Sequence, residues 1–314
     1  MTHNVVRRFL VSAMALGIAA ISSSSSADPD PSTTSGRASV YKGLHAASLE
    51  KVSSSEVIRS LFRADGTPGV APTRIWKVLE HGEKVECLNC IPLVSGLLYD
   101  SHAKTREIAA WWLRRRIFGV FGPGEVYSQV VDTLADQSQS ESRRAYAANA
   151  LGEFLTRSGA KHLDKAVRSD ESPLVRESAV KALERMNTEG PNRTLSAAMG
   201  DNSSAVRLAA VRAATRVNVF TDVGTLTERI GDESADVRRE AAAALGAMRV
   251  ADSVDGLIAL TSPDIEPEAR VRLAAVWSLG QIGDSAAKEA IQAARNDPDR
   301  FVRDAANAAG QRLF

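Results

Sequence analysis

Seven nine-residue segments of this 314-residue chain align without a gap: TREIAAWWL, RRAYAANAL, VRESAVKAL, VRLAAVRAA, VRREAAAAL, VRLAAVWSL and VRDAANAAG. Their second residues are Arg106, Arg144, Arg176, Arg207, Arg238, Arg272 and Arg303, spaced by 38, 32, 31, 31, 34 and 31 positions. A sustained period of this size commits a chain to a repeat architecture, because one unit cannot hide its apolar face and must lean on its neighbours. Six positions before the arginine stands an aspartate in five copies, as Asp100, Asp170, Asp201, Asp232 and Asp297. In the other two copies Asp136 and Asp264 stand eight positions before it, and the extra residues are expected to lengthen the turn.

Each period divides into two helical patterns joined by a turn. In the fifth copy the pattern predicts a first helix over Thr221 to Ile230, a turn in GDESAD, and a second helix over Val237 to Met248. Relative to the arginine, small or apolar residues recur one position before and three, six and seven after, as Val237, Ala241, Ala244 and Leu245. That is one stripe of a 3.6-residue helix. Its alanines let neighbouring backbones approach closely and favour helix over strand. The expected fold is all-α: an extended, right-handed-twisting α-solenoid (superhelix) of about seven stacked helical hairpins behind an N-terminal helical cap, with no central core.

These segments resemble the HEAT-like repeats, of the short class also found in phycobilisome lyases. The resemblance covers about Cys90 to Phe314, and its clearest copies are GDESADVRREAAAALGAM and NDPDRFVRDAANAAG. It implies a scaffold or binding surface more often than an enzyme, and it implies that the second helix of each pair lines the concave wall. The first repeat departs from the pattern at Trp111-Trp112-Leu113-Arg114-Arg115-Arg116, and the last has Gly310 where Leu is usual. Terminal copies are expected to deviate, since one of their faces meets water or a cap.

Ahead of the repeats, Ser54 to Arg63 and Pro72 to His81 read as short helices, the second opened by Pro and stopped by Gly82. Residues 51–89 are therefore expected to form the cap and 90–314 the solenoid. Residues 1–27 read as an export signal, in which Arg7 and Arg8 precede an apolar run of 13 residues from Phe9 to Ile21. That run is shorter than the roughly 20 residues a membrane span needs. The small residues Ser22 to Ala27 suit cleavage after Ala27, and no Cys follows the run to carry a lipid at that point. Residues 28–50, opening on Pro and small polar residues, read as a disordered tether. The expected location is outside the cytoplasm, periplasmic or secreted.

Composition narrows the partners. Lys plus Arg number 39 against 38 Asp plus Glu, a balance of +1 that becomes −1 once Arg7 and Arg8 leave with the signal. Such a chain lacks the basic surface that displaces counterions from nucleic acid or draws a protein onto acidic lipid. The expected partner is another exported protein, with no nucleic acid and no membrane insertion.

The aspartates and arginines of the repeat read as architecture, each acid placed to cap the next helix or pair with an arginine. Binding is expected instead on the second-helix position five after the arginine, which lies about 200° around the helix from the buried stripe. That row holds Trp111, Asn149, Lys181, Arg212, Ala243, Trp277 and Ala308, and Trp and Arg are frequent interface anchors. The run Arg114 to Arg116 reads as a wet helix face that could extend the row toward an acidic partner. Cys87 and Cys90 are the only cysteines. In an oxidising compartment a disulfide is the default reading, with a redox or cofactor-assembly role centred on the pair as the alternative. Haem attachment would need His after the second Cys, and position 91 is Ile. A zinc set of His81, Cys87, Cys90 and His102 fails on geometry, because a helix from about Cys90 to Leu98 carries His102 past its far end. Iron hydroxylases built from HEAT-like repeats need His-Glu pairs on inner helices, and no His here directly precedes Glu. No catalytic residue, metal or cofactor is expected.

Overall fold

The structure is a computed structural model that describes residues 54–117, 124–187, 192–217 and 220–313. The expected signal (1–27) and tether (28–50) lie outside the described residues. Among the described residues two short helices come first, α1 (Ser55–Arg59) and α2 (Pro72–His81). Seven hairpins follow. Their first helices are α3 (Ile91–Gly96), α5 (Glu125–Ala135), α7 (Arg157–Ser169), α9 (Asn192–Met199), α11 (Val223–Glu228), α13 (Val254–Ala259) and α15 (Lys288–Ala294). Their second helices are α4 (Ala103–Ile117), α6 (Glu141–Phe154), α8 (Pro173–Met186), α10 (Ser204–Arg216), α12 (Ala235–Met248), α14 (Ala269–Ile282) and α16 (Arg300–Leu313). Among the described residues there are no strands, and no helix is long and apolar enough to cross a membrane. The fold is the all-α solenoid that the period predicts.

Each second helix packs on the next, from α4 to α16, and each first helix packs on its own second helix. Turn chemistry sets the boundaries. Ser140 accepts from the Arg143 amide to open α6, and Pro173 opens α8 without losing a hydrogen bond. The first helix of the fifth hairpin is shorter than the sequence pattern suggests. In the fifth hairpin α11 stops at Glu228 and continues as a 3₁₀ turn over Arg229–Gly231, instead of running as α-helix from Thr221 to Ile230. Likewise α1 ends at Arg59, because the backbone then folds back, with Phe62 pairing to Pro68 and the Arg63 amide bonding the Thr67 carbonyl.

The second helices bury two sides, not one. Besides the stripe through Val237, Ala241 and Leu245, the position four after the arginine is fully buried in the middle copies, as Ala148, Val180, Val211, Ala242 and Val276. This side meets the following second helix: the Ser278 hydroxyl of α14 donates to the Ala242 carbonyl of α12 at 2.8 Å. Close approach there requires glycine. A Cβ on Gly152 would lie 2.8 Å from Ala182 Cα, and one on Gly246 would lie 2.7 Å from Ser278 Cα. In the last copy the corresponding positions are Asn307 and Gln311, both exposed. The last described copy therefore presents a polar face on this side.

The cap is held differently. α2 packs on α4 through Ile75, Val78 and Leu79, spaced to share one face. Trp112 is fully buried, and its Nε1 donates to the Gly82 carbonyl at 2.8 Å. Trp76 Nε1 donates to the buried Thr105 hydroxyl, also at 2.8 Å. Arg116 corrects the wet-face reading of the Arg114–Arg116 run. It is 4% exposed, stacks on Trp112, and donates to the carbonyls of Trp112, Glu83 and Val85 at 2.6–2.9 Å. Burial pushes its pKa down to about 10, so it stays charged at neutral pH. The helix pattern could not show this, because Arg116 is aimed at a loop that breaks the period.

Candidate functional site

Two rows of side chains run along the second helices, one internal and one exposed. The internal row is built from the repeat's arginine and acid. Arg144 grips Asp170 of the following copy through Nε and Nη2 at 3.0 and 2.9 Å. Arg176 holds Asp201 at 2.7 and 2.8 Å, and Arg207 holds Asp232 at 2.7 and 2.7 Å. Arg272 holds Asp297 at 2.8 and 2.9 Å. The remaining arginine nitrogen, Nη1, turns back to its own turn, as from Arg207 to the Asp201 and Asn202 carbonyls. Each acid also accepts from the amide two residues on, for example Asp232 from Ser234 at 2.9 Å. One guanidinium thus fixes its own turn and the next turn together, which sets the register between copies.

Two acids named from the sequence lie outside this row. Arg238 does not meet Asp264, which is exposed; its partner is Glu266, six positions before Arg272, at 2.6 and 2.9 Å. Glu266 is 1% exposed and its carboxylate also accepts from the Glu268 amide. The six-residue spacing is kept and the residue type changes, so a search for aspartate alone misses it. Asp136 accepts from Ser138 and Gln139 within its own turn, and leaves the rung at Ser138 without an acid.

The electrostatics of this row are structural. Burial alone would raise the acids' pKa values, but the guanidinium and amide hydrogen bonds outweigh it and leave Asp170, Asp201, Asp232, Glu266 and Asp297 below the ordinary carboxylate range. The same bonds raise Arg144, Arg176, Arg207, Arg238 and Arg272. Permanently ionised pairs of this kind are poor proton donors or acceptors at neutral pH.

The row ends differ. Asp100 accepts from the His102 amide, and Arg106 bonds the Asp100 and Ser101 carbonyls through Nη1 and stacks on Tyr146 at 3.8 Å. Arg303, in the last copy, bonds the Asp297 and Pro298 carbonyls.

The exposed row runs five positions after each arginine. Asn149, Lys181 and Trp277 are exposed, Arg212 is half-buried, and Trp111 is half-buried against the core. Several charges on this side are already paired. Lys181 reaches Glu177 at 2.5 Å and Arg212 reaches Glu240 of the next helix at 3.4 Å. Arg185 pairs with Glu153, and Arg216 with Glu184 at 2.7 Å. Each such surface pair is worth about 0–1 kcal/mol. Trp277 stands out, 43% exposed, with the Arg312 guanidinium 5.3 Å from its ring. Toward the other end, α4, α6 and α8 enclose a groove of about 240 Å³ lined by Arg106, Tyr146, Asn149, Lys181 and Arg185, among others.

Cys87 and Cys90 are joined in the structure, with Cα atoms 5.2 Å apart, and both residues are buried in the apolar core. His81 Nδ1 is 2.9 Å from the Lys77 carbonyl, and His102 lies on the exposed turn before α4. The structure does not bring the two histidines and two cysteines together as a ligand set. Among the described residues no group of three or more His, Cys, Asp or Glu is placed to hold a metal.

Residues 128–215 and 223–310 match a family model described as HEAT repeats. No curated protein sequence matches the chain. Among solved structures the chain is similar to the Escherichia coli protein YibA at 16% identity, covering 79% of this chain and 98% of YibA, with a TM-score of 0.50. It is also similar to human deoxyhypusine hydroxylase at 22% identity, covering 84% and 96% of the two chains, with a TM-score of 0.35. The complex of CpcE and CpcF of phycocyanin lyase from Nostoc sp. PCC7120 is similar at 18% identity, covering 81% and 98%, with a TM-score of 0.40. At such identities the likeness concerns the fold alone. With its ladder of arginines and acids and more than half of its length matched by the repeat model, the chain belongs to the HEAT-repeat family.

Proposed function

We propose that the protein is an exported, non-catalytic scaffold or adaptor that binds another protein along the exposed side of its second helices. HEAT repeats generally mediate protein interactions. The observation that carries the reading is the row itself: an exposed Trp277 at one end and the groove at Asn149 and Lys181 at the other, on a stack whose ladder from Arg144 to Asp297 is turned to architecture. A rigid stack presents such side chains at little entropic cost. Export follows from the signal-like first 27 residues, and in an oxidising compartment the Cys87–Cys90 bridge acts as a staple for the cap. Burial of both cysteines favours this over a redox role, since exchange requires access to a sulfur.

The test uses the full chain, tagged at its C-terminus and captured with its partners after crosslinking in the exported fraction. Trp277→Ala combined with Lys181→Ala removes two exposed side chains and leaves the core intact. The expected result is loss of partner recovery with an unchanged helical spectrum. Equal recovery from the variant removes this surface from consideration. Export is checked by the N-terminus of the mature protein, expected at Asp28.

A further inference from the structure

Arg106 differs from the other ladder arginines. In five copies the Nε and Nη2 atoms of the arginine form a fork that holds a carboxylate at 2.6–3.0 Å. The acid due to Arg106 would stand six positions before Arg144, where the chain has Ser138. Among the described residues only Nη1 of Arg106 has hydrogen-bond acceptors, the Asp100 and Ser101 carbonyls. Tyr146 stacks on its face at 3.8 Å. Stacking engages the flat side of a guanidinium and leaves its in-plane donors free, so Tyr146 supports the fork without filling it. Arg106 is half-buried, and its Nε and Nη2 are not sealed from water.

Arg106 is the cation of its groove that no carboxylate holds. Arg106, Lys181 and Arg185 line the groove with Glu107 and Glu153, but Arg185 is paired with Glu153 and Lys181 with Glu177. Asn149 adds an amide at the groove wall. Arg303, the other ladder arginine without a following acid, bonds the Asp297 and Pro298 carbonyls and lies outside this groove.

We propose that Arg106 is a carboxylate-binding site, and that an acidic segment of a partner protein supplies the missing rung by placing a side-chain carboxylate in the Nε–Nη2 fork. This rests on the binding face proposed above and gives its partner a chemistry. A bidentate guanidinium–carboxylate pair adds directional specificity that a lysine in the same place lacks.

The test measures binding of a fluorescein-labelled hexaglutamate peptide to the full chain by anisotropy, with hexaglutamine as the neutral control. Wild type is expected to bind hexaglutamate more tightly than hexaglutamine. Ser138→Asp supplies the acid within the chain; it should weaken hexaglutamate binding by about tenfold or more and raise Tm. Arg106→Lys, which keeps the charge and loses the fork, should weaken binding similarly. The proposal is overturned if hexaglutamate binds no better than hexaglutamine, or if Ser138→Asp binds it as wild type does. Those failures leave the Trp277 and Lys181 capture result standing, and loss of that result leaves the peptide result standing, so the two readings fail separately.

Discussion

The body of the solenoid and its N-terminal end solve one problem in two ways. Every turn between helices leaves carbonyls and amides that must find partners. From α6 to α14 the answer is periodic: one arginine per copy bonds its own turn and grips the acid of the next. In the cap and first repeat it is singular: Arg116 gathers carbonyls from its own helix and from the loop after α2, Trp112 bonds the same loop at Gly82, and Trp76 pegs α2 to α4. Periodic sequence propagates because each unit presents the next with the surface it met. An end has no such neighbour, so its contacts are particular to it.

The comparison can be broken where it is strongest. Arg272→Ala leaves Asp297 charged and buried, with side-chain exposures of 4% and 0% in the pair. A loss of about 3–5 kcal/mol is expected in urea unfolding. Asp264→Ala, at the acid that the ladder bypasses, should stay within about 0.5 kcal/mol of wild type. Equal effects would show that the pair does not carry the register.

Acid titrates the same ladder. The folded pKa values of Asp170, Asp201, Asp232, Glu266 and Asp297 lie below their unfolded values, so their stabilisation is complete above the unfolded values near 4 and is lost as pH falls through the folded ones. The urea midpoint should be flat through neutral pH and fall below about pH 4.

At the N-terminal end, Arg116→Met strands the loop carbonyls and should cost about 3 kcal/mol, confined to the cap. Hydrogen exchange would show lost protection over residues 72–99 with α8 to α14 unchanged. Uniform loss along the chain would mean that cap and body fold as one unit.

The smallest effects sharpen the contrast in packing. Gly246→Val drives a side chain into Ser278 of the next helix and should cost about 1–3 kcal/mol. In the first repeat, Gly96 has nothing within 4 Å of an added Cβ, so Gly96→Ala should be neutral or stabilising by up to about 1 kcal/mol. Thermal unfolding of the two variants compares them directly.

The spacing of seven arginines and the small residues around them was enough to establish hairpins, their stacking order and the all-α class, because each copy repeats the same local demand. Glycine at the contact of Gly246 with Ser278 was not legible, since nothing in one copy tells which side meets the next. Nor was Glu266 visible behind Asp264, because burial and reach choose the partner, and those are properties of the folded turn. The exposed row could be drawn from helical geometry, yet which of its members were already paired, as Lys181 is with Glu177 and Arg212 with Glu240, depended on neighbours. The sequence by itself determined the repeating unit, since hydrophobic period and turn residues act within a few positions of each other. Only the tertiary structure decided which charges were satisfied and which, like the Arg106 fork, stood open, because satisfaction is a distance between copies and no single copy contains it.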